Sequence, residues 1–91
     1  MLKWTTPAML DLAAQLDFIA RDDPHASQAT AIAIKKAVEN LNVFPHLGRQ
    51  GARRGTLELV VPRLPFICVY RVVDGDVEIL RLLHAKMKWP D

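Results

Sequence analysis

From residue 6 to residue 44 the apolar positions recur every three or four residues, whereas from 56 to 84 they crowd into short runs of branched and aromatic side chains. The first period is that of amphipathic helices and the second that of strands. Thr6 followed by Pro7 reads as an N-cap with proline at the first helical position, where a missing N–H costs nothing. Met9, Leu12, Leu16 and Ile19, with Ala13 and Ala20 beside them, then form one stripe, and Asp11, Gln15 and Asp22 fall elsewhere. Asp23-Pro24 repeats the cap-and-proline signal, and Ala31, Ile34, Val38 and Leu41 carry a second stripe until Pro45 blocks continuation. The short connection makes the pair an antiparallel helical hairpin; one kinked helix is the weaker alternative, given Asp22, Asp23 and Pro24 together. Residues 2–4 have room for a short strand ahead of it.

Residues 46–54, HLGRQGARR, hold two glycines and three arginines without a period, which predicts an exposed, mobile loop. Three strands are expected after it: Thr56 to Val61, Phe66 to Val73 and Asp76 to His84. Asp74-Gly75 supplies the positive φ angles of a two-residue hairpin turn. Extending that hairpin pairs Val73 with Asp76, Arg71 with Glu78, Tyr70 with Ile79, Val69 with Leu80 and Cys68 with Arg81. One face then carries Phe66, Cys68, Tyr70, Val72, Val77, Ile79 and Leu83, with Leu57, Leu59 and Val61 of the preceding strand, and is assigned to the helices. The fold class is therefore α+β, an N-terminal helical hairpin packed on one face of an antiparallel sheet. A single hairpin covers one side only, so Val60, Ile67, Val69, Leu80 and Leu82 are left on the other face, among Glu58, Arg71, Glu78 and His84. An apolar patch of that kind calls for a partner protein; the alternative is that the tail from Ala85 onward folds back over it.

Composition narrows the class. At 91 residues, with 51% apolar and 24% charged residues, the chain is one globular domain spanning 1–91 and is too apolar for disorder. The lone Cys68 has no partner for a disulfide, which suits a reducing cytoplasm. The first ten residues lack the apolar run of a signal peptide, and no stretch of about 18 apolar residues exists to span a bilayer, so no membrane role is expected.

Charge is uneven: residues 1–44 hold four Lys/Arg against five Asp/Glu, and residues 45–91 hold eight against five. Arg49, Arg53, Arg54 and Arg63 face only Glu58 in their window, so an acidic partner fits as well as a merely solvated surface does. The glycines Gly48 and Gly51 have the wrong spacing for a phosphate-binding loop. His25, His46 and His84 fall in a helix start, a loop and a strand end, a pattern that builds no metal site. No cofactor is expected. Cys68 on the buried face and Ser27 on a helix make no nucleophile arrangement. What remains for catalysis is Glu58, Arg71, Arg81 and His84, together with Lys86 and Lys88: a carboxylate, a histidine and cations of the kind that aid RNA cleavage by a 2′-hydroxyl. The same residues also suit a solvated strand edge.

The order helix, helix, strand, strand, strand, with the phrases FPHLGRQG, GTLELVV and PFICVYRVVDGDVEILRLLHAKMKWP, resembles the RelE/ParE superfamily of type II toxins over nearly the whole chain. The resemblance implies growth inhibition held in check by a cognate antitoxin, in agreement with the uncovered apolar face, where Val60, Ile67, Val69, Leu80 and Leu82 would be the antitoxin-binding residues. Members resembling RelE cut messenger RNA on the ribosome with basic strand residues, yet the corresponding positions here hold Glu58, Val60 and Ile67. Members resembling ParE poison DNA gyrase without being enzymes, and the ending LLHAKMKWP is more similar to theirs. The favoured expectation is thus a non-enzymatic gyrase poison, with Arg49, Arg53, Arg54, Lys86, Lys88 and Trp89 touching the target. The alternatives are a ribosome-dependent endoribonuclease using Glu58, Arg71, Arg81 and His84, and a protein-interaction module without toxicity.

Overall fold

In a computed structural model, residues 1–85 are described. They form β1 (Leu2–Trp4), α1 (Thr6–Asp22), α2 (Pro24–Glu39), a 3-10 turn (Asn40–Asn42), β2 (Arg49–Gln50), β3 (Leu57–Val60), β4 (Phe66–Val73) and β5 (Asp76–His84). The sheet runs in the order β1-β5-β4-β3-β2. The expected α+β arrangement holds, and the strand at residues 2–4 adds one feature to it. It pairs parallel with β5, from Leu2 opposite Val77 to Trp4 opposite Ile79, so the sheet is mixed.

The first helix is capped one residue earlier than expected. Thr5 has an extended backbone, its hydroxyl accepts the Ala8 N–H at 3.4 Å, and Pro7 takes the second helical position. The reason is tertiary: the same Thr5 hydroxyl donates to the Ile79 carbonyl at 2.7 Å, which ties the cap to β5. Asp23 caps α2 as expected, accepting the Ala26 N–H at 3.1 Å ahead of Pro24. The core lies between α2 and one sheet face and includes Ala8, Ile34, Val38, Leu41, Leu59, Val61, Phe66, Cys68, Tyr70, Val77, Ile79 and Leu82. α1 contributes less: Ala8 is its one buried residue, and Met9, placed in the stripe from the sequence, is half exposed.

The β4–β5 hairpin decides what each face carries. Asp74 and Gly75 have φ of 51° and 82°, as a two-residue turn of positive-φ residues requires. From there the pairing follows the expected register through Val73 with Asp76, Arg71 with Glu78 and Tyr70 with Ile79. It then shifts. Val69 stands opposite Arg81 and Cys68 opposite Leu82, so Leu80 is an extra residue and β5 bulges there.

One added residue exchanges the faces of everything beyond it. Leu82, expected on the open face, is 1% exposed in the helix-side core, and Leu83 leaves that core. His84 lands opposite Phe66 on the helix side, ring to ring at 5.8 Å and 82°. Val69 does lie on the other face, yet it is only 3% exposed. It sits in the middle strand with Glu58 and Arg81 directly across it on either side. Of the five apolar residues expected on the open face, those left in view are Val60, which is 48% exposed, and the partly buried Ile67 and Leu80.

Candidate target-binding loop and partner-binding cleft

Residues 46–54, expected to be mobile, are tethered at several points along with their flanks. The Tyr70 hydroxyl, at the end of a fully buried side chain, donates to the Pro45 carbonyl at 2.8 Å and accepts the Gly48 N–H at 2.9 Å. A Cβ at Gly48 would lie 2.8 Å from the Glu58 carbonyl oxygen and 2.8 Å from the Tyr70 ring, so only glycine permits this approach. Burial pushes the Tyr70 phenol up against the smaller opposing effect of the Gly48 N–H, which keeps it protonated and able to donate. Beyond Gly48 the chain pairs as β2 with β3, Arg49 opposite Glu58 and Gln50 opposite Leu57.

A tight loop then closes on itself through Gly51 N–H to the Thr56 carbonyl at 2.8 Å and Thr56 N–H to the Arg53 carbonyl at 3.1 Å. Glu58 secures it from the sheet. One carboxylate oxygen accepts from Arg49 Nε at 3.2 Å and the other from the Ala52 N–H at 3.4 Å. Arg49, Arg53 and Arg54 are exposed on this small framework.

The residues proposed for catalysis do not converge. Arg71 Nε is 2.6 Å from Glu78, Arg81 binds Asp11 with Nε at 2.6 Å and a second nitrogen at 3.0 Å, and Glu58 holds Arg49 and Ala52. Glu58 and Arg81 are two strands apart, about 10 Å, and the bulge puts His84 on the opposite face. The guanidinium of Arg81 is held further toward its charged form by the Asp11 hydrogen bond. Desolvation pushes the Cys68 thiol up to about 12, so it supplies no thiolate near neutral pH. Among the described residues no three His, Cys, Asp or Glu side chains come together as metal ligands, and no helix is long and apolar enough to cross a membrane.

An apolar cleft of about 320 Å³ opens between α2 and the outer part of β3, lined by Ala33, Lys36, Ala37, Leu47, Leu59 and Val60 among others. β2 pairs with β3 only at Leu57 and Glu58, so among the described residues the edge of β3 at Leu59 and Val60 has no neighbouring strand beside this cleft. Val43, Phe44 and Leu47, more than half exposed, follow the 3-10 turn on the chain that leads to it.

Comparison with known proteins reads this combination. The family model for the ParE toxin of type II toxin–antitoxin systems, parDE, matches residues 2–89. The chain belongs to this toxin family. It is 38% identical over 89 residues to the Y4kP protein of Sinorhizobium fredii, covering 98% of this chain and 92% of that one. It is likewise 38% identical over 82 residues to the toxin RelE2 of Caulobacter vibrioides, covering 90% and 91%. Among solved structures, a chromosomal ParDE toxin–antitoxin system from P. aeruginosa superimposes with a TM-score of 0.83 at 29% identity, covering 91% of this chain and 92% of that one.

Within this toxin fold the expected site residues divide in three. Arg49, Arg53 and Arg54 come together on the tethered loop. Val60 meets the cleft, with Ile67 opposite it on β4. Lys86, Lys88 and Trp89 lie outside the described residues. Sequence reasoning missed Asp11, Tyr70 as a hydrogen-bonding group, and the α2–β3 cleft. Asp11 reads from the sequence as one of several acids off the apolar stripe of α1, with nothing to single it out. For Tyr70 the clue was a phenol in a strand of otherwise apolar core residues, since a buried hydroxyl needs partners. The cleft had none.

Proposed function

We propose that the protein arrests bacterial growth by poisoning DNA gyrase, acts without cutting RNA, and is silenced by a cognate antitoxin. The observation that carries this reading is the commitment of the sheet cations. A ribonuclease needs cations free to meet a phosphorane, and here Arg71 is bound to Glu78, Arg81 to Asp11 and Arg49 to Glu58. His84, the natural acid, faces the other way, beside Phe66. Membership of the ParE family supports the same choice.

Arg53 and Arg54 form the target contact on this reading, with Lys86, Lys88 and Trp89 of the C-terminal phrase HAKMKWP adding cations and an indole. The antitoxin takes the apolar cleft with Val60 at its rim and extends across the open sheet face over Ile67 and Leu80. Its candidate seat has shifted from the sheet face expected at first toward the β3 edge, because Val69 and Leu82 are buried.

The deciding experiment sets purified protein against gyrase supercoiling and, in parallel, against messenger RNA on ribosomes. Inhibition of supercoiling, with RNA left intact, is expected. Untouched supercoiling together with RNA cleavage abolished by His84→Ala would transfer the protein to the nuclease class. Absence of both activities, with normal growth on expression, would make it a binding module.

A further inference from the structure

We propose that Tyr70 and Glu58 are positioning residues that hold the arginine loop in a preformed shape, so that Arg53 and Arg54 meet an acidic protein surface without first being ordered. The inference rests on the reading of those arginines as the target contact, and it deepens that reading.

Three independent tethers carry it. Tyr70 reaches up from the core to fix both Pro45 and Gly48 with one hydroxyl. Glu58 reaches outward from β3 to hold Arg49 and the Ala52 N–H with separate oxygens. Between them the Thr56 hydroxyl donates to the Arg53 carbonyl at 2.5 Å, beside the backbone bonds that close residues 51–56. A loop with two glycines and an arginine pair has many conformations to lose on binding, and each residue ordered beforehand removes part of that cost. Stability requires partners for the buried Tyr70 hydroxyl, but not the Glu58 and Thr56 bonds, which serve residues 49–55, and these supply nothing to the apolar core. The tethers therefore act on the loop's shape, and its exposed content is cationic.

Tyr70→Phe keeps the ring in the core and deletes the hydroxyl, and Glu58→Gln keeps the shape and deletes the charge. In the full chain each should speed amide exchange at residues 48–56 and weaken gyrase inhibition about tenfold, while Glu58→Gln, whose tether is away from Leu47 and the cleft, keeps affinity for the antitoxin within about twofold. A control, Ile19→Ala, should lower the melting temperature without losing inhibition, which separates positioning from general destabilisation. If Tyr70→Phe does not fold, Glu58→Gln carries the test alone, since its side chain is outside the core. Faster exchange with unchanged inhibition would overturn the positioning role and leave the target contact standing. Charge reversal at Arg53 and Arg54 without loss of inhibition would overturn the target contact itself, and the positioning role with it.

Discussion

On the two sides of Leu80 the β4–β5 hairpin obeys different constraints. Toward the turn, pairing is dictated locally: Asp74-Gly75 fixes which residues are opposite, and Arg71 meets Glu78 across the strands as alternation demands. Beyond Leu80, β5 answers to the rest of the molecule. β1 has ended at Trp4, opposite Ile79, so the outer edge of β5 is exposed to the start of α1. There Thr5 takes the Ile79 carbonyl, while Asp11 accepts both the Arg81 guanidinium and the Leu82 N–H, the latter at 3.0 Å. The bulge aligns that edge with the helix. A hairpin turn thus sets register only as far as the next tertiary contact strong enough to replace it.

The largest test of this contrast is a pair of truncations. In unbroken register Leu83 would face the helices and Leu82 would not. With the bulge, Leu82 is 1% exposed within the main core and Leu83 is 6% exposed outside it. Leu82→Ala should cost about 3 kcal/mol and Leu83→Ala roughly half that, measured by urea denaturation. The reverse order would mean that the bulge does not form in solution.

A smaller loss is expected where the helix holds the bulge. Asp11→Ala strands a guanidinium whose side chain is 29% exposed and removes the acceptor of a backbone N–H. The cost should be about 2 kcal/mol, below that of a fully buried pair because water still reaches both groups. Amide exchange should accelerate at residues 80–83 and not at 71–78. Uniform acceleration along β5 would show that Asp11 supports the whole strand and not the bulge in particular.

The same contrast explains what could be read without coordinates. Both helices, the Asp23 cap, the turn and the extents of β4 and β5 rest on signals within a few residues of one another, and they stand as read but for the α1 cap, which moves from Thr6 to Thr5. The bulge does not show, because Ile79-Leu80-Arg81-Leu82-Leu83 offers a leucine to the core in either register. The consequence reaches the site: an unbroken register puts Leu82 on an open face and groups His84 with Glu58 and Arg71. The arginine loop failed differently. Its composition reads as mobile because the Tyr70 hydroxyl that tethers it is remote in sequence from Gly48, and the Glu58 carboxylate, though near Ala52 in the chain, acts from the next strand. Hydrogen bonds of that range leave no periodic trace. The family resemblance survived these errors because it rested on element order and whole phrases, not on which way a single strand faced.

The smallest effect is the sharpest comparison, since it involves the same chemistry on the two sides of Leu80. Arg71 and Glu78 form a pair at 2.6 Å, as short as the shorter contact between Arg81 and Asp11. Distance alone would rank them equal. Arg71, however, has a side chain 51% exposed, and its partner lies directly across a register that the turn already enforces. Water and salt screen such a pair, so Arg71→Ala should cost less than about 1 kcal/mol. The difference between Arg71→Ala and wild type should shrink further at high salt, whereas the Asp11→Ala loss should persist. A cost for Arg71→Ala equal to that of Asp11→Ala would mean that cross-strand charge, and not the Asp74-Gly75 turn, sets the register on that side.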